Sequence, residues 1–245
     1  MIGILALQGD VREHARAFAD LGVDTSEVRR RGDLQGLDGI VLPGGESTTL
    51  SLLLESTGLF DPLERELNAG LPVLGTCAGL VLLATRVEDG RPDQRTFGVI
   101  DCTVRRNGYG RQRYSFETML HRSSSGTPPP TAPDGVGAPW SEGGELPAIF
   151  IRAPRVVSVG PDVQVLARLA RLSVRNWSGQ DSSALSGPET EEHGGDLRGD
   201  GSAGGDPALC RQGNALGSAF HPELTNSRDV HRLFARMAGV KGAGL

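Results

Sequence analysis

Short apolar runs alternate with segments of helical period through the first third of the chain. Ile2-Gly3-Ile4-Leu5-Ala6-Leu7 stops at Gln8-Gly9, the pattern of a strand buried on both faces. Over residues 11–21, Val11, Ala15, Phe18 and Leu21 recur at helical spacing, and Gly22 supplies the stop. A weak strand at 23–29 and a stronger one at 39–42 follow. Helical sequence covers 48–55 and 62–68, residues 71–74 read as another buried strand, and residues 80–84 are helix-like again. Such alternation predicts an α/β fold with a mostly parallel or mixed central sheet and helices on both faces. Ligands of such sheets sit beyond the carboxyl ends of the strands. The loops after Leu7, Leu42 and Thr76 are therefore expected on one rim.

The second half is more strand-like, at 99–104, 148–151, 163–167 and 172–177. Two segments interrupt it. Residues 122–146 are rich in Pro, Gly and Ser, and residues 178–207 in Gly, Ser, Asp and Glu. Neither offers enough apolar surface to offset the entropy of ordering it, which predicts mobile surface insertions within one domain spanning 1–245. A terminal helix is expected at 227–237, with Val230, Leu233, Phe234 and Met237 on one face and Asn226 or Ser227 as N-cap.

Composition narrows the class. With 38% hydrophobic and 22% charged residues, the 245-residue chain is suited to one substantial globular core. A net charge of −5 argues against a nucleic-acid groove or an anionic membrane surface as partner. Three widely spaced cysteines, Cys77, Cys102 and Cys210, show no metal-ligand pattern and fit a reducing compartment. No apolar run is long enough to span a bilayer. The expectation is a soluble cytoplasmic protein without metal or cofactor.

Three stretches carry candidate chemistry. In Gly75-Thr76-Cys77-Ala78-Gly79-Leu80, small residues flank a cysteine between strand and helix. A sharp turn there exposes the sulfur and points it at a helix N-terminus, which favours thiolate. A lone cysteine is usually a buried structural one; the paired glycines favour the elbow. In His221-Pro222-Glu223, an extended backbone would project both side chains to one side, so the carboxylate could orient an imidazole that takes the thiol proton. Alone, such a pair is more often a solvated surface feature. In Pro43-Gly44-Gly45-Glu46-Ser47, the glycines let backbone N–H groups approach a substrate. Together with the Ala78 N–H, this would build an oxyanion hole. An ordinary strand-to-helix loop is the plain alternative.

These stretches resemble class I, triad-type glutamine amidotransferases. With Ala6-Leu7-Gln8-Gly9, Arg106-Asn107-Gly108-Tyr109-Gly110-Arg111-Gln112, Ser115-Phe116-Glu117 and Phe150-Ile151-Arg152-Ala153-Pro154, they occur in the order seen in glutaminase subunits of pyridoxal 5′-phosphate synthase. The resemblance implies the flavodoxin-like three-layer fold of that family. It implies Cys77 as nucleophile, completed by His221 and Glu223, and L-glutamine bound by Gly45, Glu46, Ser47, Arg106, Ile151 and Arg152. It places Gln8 beside the oxyanion hole at a subunit contact and implies a barrel-type synthase partner in a hetero-oligomer. Tyr114 departs from the acidic residue usual before Ser-Phe-Glu, and the two insertions are unusual. A glutaminase serving another synthase, such as imidazole glycerol phosphate synthase, and a non-catalytic regulatory or redox sensor on the same fold are the competing readings.

Overall fold

The computed structural model describes residues 1–109, 115–122, 144–170 and 205–241. Four short strands are buried along their whole length: β1 (Ile2–Leu5), β3 (Gly39–Leu42), β4 (Val73–Thr76) and β12 (Ala215–Ser218). With β2 (Thr25–Val28) they make a parallel block in the order β2-β1-β3-β4-β12. Burial on both faces is what permits continuous Ile, Val and Leu without alternation.

Beyond β12 the sheet turns antiparallel. It continues through β11 (Asp206–Gln212), β10 (Gln164–Leu169), β7 (Phe116–Arg122) and β8 (Glu145–Phe150), giving nine strands. A second, three-stranded sheet holds β5 (Ala84–Glu88), β6 (Ile100–Arg105) and β9 (Arg155–Val159). The expected mixed sheet is present; the separate small sheet was not legible in the chain.

The helices are α1 (Val11–Ala19), α2 (Ser47–Ser56), α3 (Phe60–Asn68), α4 (Ala78–Leu83) and α5 (Asp229–Met237). Helix α1 packs on α5 through Phe18 and Phe234, while α2 packs on α3 and α4. The crossover through α1 moves to one side of β1 and that through α2 and α3 to the other. Right-handed connections therefore put the two groups on opposite faces. One continuous apolar core joins both sheets and all five helices.

Most expected helices start a little early. Helix α5 is shorter than expected, and its N-cap is Arg228, not Asn226 or Ser227, although the Ser227 hydroxyl accepts the Asp229 N–H. The strand expected at 172–177, Tyr114, and most of both presumed insertions lie outside the described residues. Their flanks are strand: 122 ends β7, 145–146 open β8 and 206–207 open β11. Among the described residues, the strands on either side of each segment pair antiparallel, with His121 opposite Glu145 and Leu169 opposite Asp206.

Candidate active site

The rim forms as the strand order predicts. A cavity of about 270 Å³ opens at the carboxyl ends of the parallel strands, lined by Asp10, Gly45, Glu46, Ser47, Cys77, Ala78, Arg106, Asn107, Ile151, Arg152 and His221. Gly44 and Gln8 stand just behind it: a Cβ on Gly44 would meet His221 Cε1 at 2.4 Å, and Gln8 Nε2 donates to the Glu46 carbonyl at 2.7 Å.

Cys77 links β4 to α4 with φ 48° and ψ −101°, a conformation costly for any residue with a Cβ. Its N–H donates to the Ser218 carbonyl at 2.8 Å, which continues the pairing of β4 with β12. Gly79 makes the turn possible, since a Cβ there would lie 2.0 Å from the Leu42 carbonyl oxygen. Two more residues with positive φ, Asn107 (49°) and Arg152 (45°), line the same cavity. Strained backbone is thus concentrated around it, as at functional sites generally. The Cys77 thiol approaches the Ile151 carbonyl at 3.9 Å.

His221 follows β12, and its N–H is tied to the Ile149 carbonyl at 2.9 Å. Its Nδ1 lies 2.7 Å from Glu223 Oε1, as the triad reading requires. The route differs from the one expected. Pro222–Leu224 is a single 3-10 turn, so the two side chains meet because the backbone folds back, not because an extended strand alternates. His221 also hydrogen-bonds with Cys77, and with Nδ1 engaged by Glu223 the nitrogen left for the thiol is Nε2. Burial alone would lower the His221 pKa, but hydrogen bonds with Asp10, Cys77 and Glu223 outweigh it and push it up to about 12. Burial opposes charge on Glu223 too, yet His14 and His221 hold its carboxyl below the ordinary range. The arrangement is a thiol, a buried imidazole that gains a proton readily, and a carboxylate that stays charged.

Glu46 and Arg106 meet at the mouth. The Glu46 carboxylate accepts from the Thr48 and Thr49 N–H groups at 3.0 and 2.7 Å, capping α2, and from Arg106 Nη2 at 2.7 Å. Burial opposes its ionisation, but the threonine hydrogen bonds and Arg106 bring its pKa down to about 2.

Asp10 was not anticipated. Its Oδ2 lies 3.3 Å from His221 Nδ1, beside the shorter bond to Glu223. Ligand atoms of Asp10, His221 and Glu223 fall within 4.8 Å of one another, a spacing that would suit a metal ion. However, Nδ1 carries the hydrogen that bonds to Glu223 and so offers a metal no lone pair. His14, Thr76 and His231, packed behind the triad, were missed as well. The available signal was helical phase: His14 lies on the face of α1 that carries Phe18, and His231 beside Phe234 on α5.

Residues 4–177 match the model of the SNO glutamine amidotransferase family. A protein of Frankia alni named pyridoxal 5′-phosphate synthase subunit PdxT is 44% identical over 99% of this chain and 97% of its own length. One of the same name from Mycobacteroides abscessus is 44% identical over 97% and 96%. Among solved structures, one titled as a glutamine amidotransferase superposes with TM-score 0.70 at 37% identity, covering 98% of this chain and 99% of its own. PurLQS of Thermotoga maritima shares the fold, with TM-score 0.58 at 16% identity over 96% of this chain and 97% of its own.

Proposed function

The chain belongs to the SNO glutamine amidotransferase family, and from that premise we propose that it hydrolyses L-glutamine to L-glutamate and ammonia with a Cys77–His221–Glu223 triad. The observation that carries the reading is His221. Its Nδ1 is held by Glu223 at 2.7 Å and its ring also hydrogen-bonds with the strained Cys77, in a cavity sized for an amino acid.

His221 takes the Cys77 proton, and the sulfur attacks the γ-carboxamide carbon of glutamine. The Ala78 N–H, at the first turn of α4, and the Gly44-Gly45 peptide stabilise the oxyanion. The imidazolium returns its proton to the leaving nitrogen, releasing ammonia and leaving a γ-glutamyl thioester. Water, deprotonated by His221, then cleaves the thioester to glutamate and frees the thiol. Gly45, Ser47, Ile151 and Arg152 line the bound substrate. Glu46 and Arg106 set an anion and a cation side by side, matching the α-ammonium and α-carboxylate of a free amino acid. The single core supports one glutaminase domain.

Ammonia is a nucleophile only while unprotonated, so it passes to a synthase subunit that builds pyridoxal 5′-phosphate, as the names of the relatives imply for their own complexes. The partner is the barrel-type subunit of a hetero-oligomer. Gln8 couples it to the site by gripping the Glu46 carbonyl, the far end of the Gly44-Gly45 loop. The test is glutamate release by the chain with and without that subunit. Expected are weak turnover alone, a rise of about tenfold or more on addition, loss of most of the rise in Gln8→Ala, and no turnover in Cys77→Ala. Turnover by Cys77→Ala would refute the mechanism, and a partner-independent rate would refute the coupling. A sensor on this fold would have no need of a Glu223 placed against His221.

A further inference from the structure

Behind the triad lies a second buried polar cluster that no step above uses. His14 of α1, Thr76 of β4, Glu223 and His231 of α5 come from four separate elements and meet in the core; both histidines are fully buried. His14 Nδ1 is 3.0 Å from His231 Nε2, and His14 Nε2 is 3.2 Å from Thr76 Oγ1 and 3.5 Å from Glu223 Oε2. That oxygen has no hydrogen-bond partner among the described residues, although its carboxylate is nearly fully buried. A charged oxygen in that position is costly unless a donor faces it.

The hydrogens can be assigned from the contacts. Facing a carboxylate and a hydroxyl, His14 Nε2 carries the hydrogen, so Nδ1 accepts. His231 Nε2 must then donate, which leaves His231 Nδ1 bare; that atom is the one without a partner among the described residues. The assignment needs both imidazoles neutral, and burial lowers the pKa of each.

We propose that His14, backed by His231, is a positioning residue for this reaction: its Nε2–H, bonded to Thr76, stands 3.5 Å from the otherwise unpartnered oxygen of Glu223, and its dipole biases the carboxylate to stay square to His221. It never touches substrate. The same N–H reaches Thr76, the residue before the nucleophile, so one ring sets both ends of the triad. The inference rests on the triad reading. The charged or titrating groups facing the cluster are Asp10, Glu13, Glu223 and His221 around His14, and Arg228 near His231.

The test compares His14→Leu with His14→Gln, whose amide can place an N–H near the position of Nε2, in the complex with the synthase subunit. His14→Leu is expected to lower kcat by about tenfold with KM unchanged, the scale of effect seen when an outer hydrogen-bond partner is lost. The pH profile of Cys77 alkylation should move to higher pH, because a poorly held Glu223 supports the imidazolium less. His14→Gln should restore most of both. An unshifted alkylation profile with unchanged kcat in His14→Leu would overturn the proposal while leaving the triad standing. Absence of glutaminase activity in the unaltered complex would instead strike the underlying reading. If His14→Leu does not fold, nitrogen-15 spectra of the unaltered protein decide: a neutral Nε2–H tautomer at His14 is expected, and an Nδ1–H tautomer or an imidazolium refutes the proposal.

Discussion

Arg106, just beyond the end of β6, donates to Glu46 Oε1 at 2.7 Å, so the guanidinium is braced by the same carboxylate that caps α2. On the proposed reading, the α-amino-acid end of glutamine would be met by a pre-assembled pair, not by two independent side chains. Arg106→Ala should raise KM for glutamine by about 10- to 100-fold, the worth of one charge-assisted hydrogen bond, with kcat little changed. Glu46→Gln should also weaken binding, and the double variant should cost less than the sum. Steady-state kinetics of the complex check this.

Cys77 should invert an ordinary stability order. Glycine is usually destabilising relative to alanine, but at φ 48° and ψ −101° any Cβ is strained. Cys77→Gly should therefore be more stable than Cys77→Ala by about 1 kcal/mol or more, with both inactive. Urea unfolding of the two variants measures the difference.

Gly44 separates catalysis from folding. A Cβ added there meets His221 Cε1 at 2.4 Å and Nδ1 at 3.0 Å, so Gly44→Ala must displace the imidazole. Turnover should fall by at least about 10²-fold, while thermal unfolding shifts only modestly. Wild-type turnover in Gly44→Ala would show that the imidazole has room to spare.

Stability should depend on pH in three windows. Glu46 ionises near 2 in the fold against 4.5 ordinarily, so its contribution is complete above 4.5 and is lost as pH falls towards 2. His14 and His231 are held below the ordinary 6.5, so the unfolded chain takes up protons first, and stability drops as pH falls below 6.5. His221, raised to about 12, has the opposite sign: its contribution is complete below 6.5 and lost as pH rises towards 12. Urea midpoints measured from pH 2 to 12 should show all three. Glu46→Gln should shrink only the most acidic limb, leaving the part that Glu223 contributes.

Most of the parallel block and the turn at Cys77 were legible because their signals are local. Buried strands such as Gly39–Leu42 are uninterrupted apolar runs, and the elbow is marked by glycines on each side of Cys77. The small sheet was not legible, since Ala84–Glu88 carries Arg86 and Glu88 on a strand that buries only Ala84, and Arg155–Val159 buries only Val156. Pairing of that kind depends on neighbours far along the chain. Asp10, His14 and His231 were missed for a related reason. A histidine on an apolar helix face says nothing of its partners until helices from opposite ends of the chain are packed together.

The register of β12 against β4, with Ser218 opposite Thr76, sets the order in which the protein comes into being. The nucleophile is made early and its base late, with more than half of the chain between them. Contacts so distant in sequence form slowly, and no nascent fragment that ends before β12 can hold an imidazole against the sulfur. A nascent chain that stalls before His221 therefore lacks the base proposed for Cys77. Chemical competence is the last thing the chain acquires, and it certifies that the whole sheet has closed.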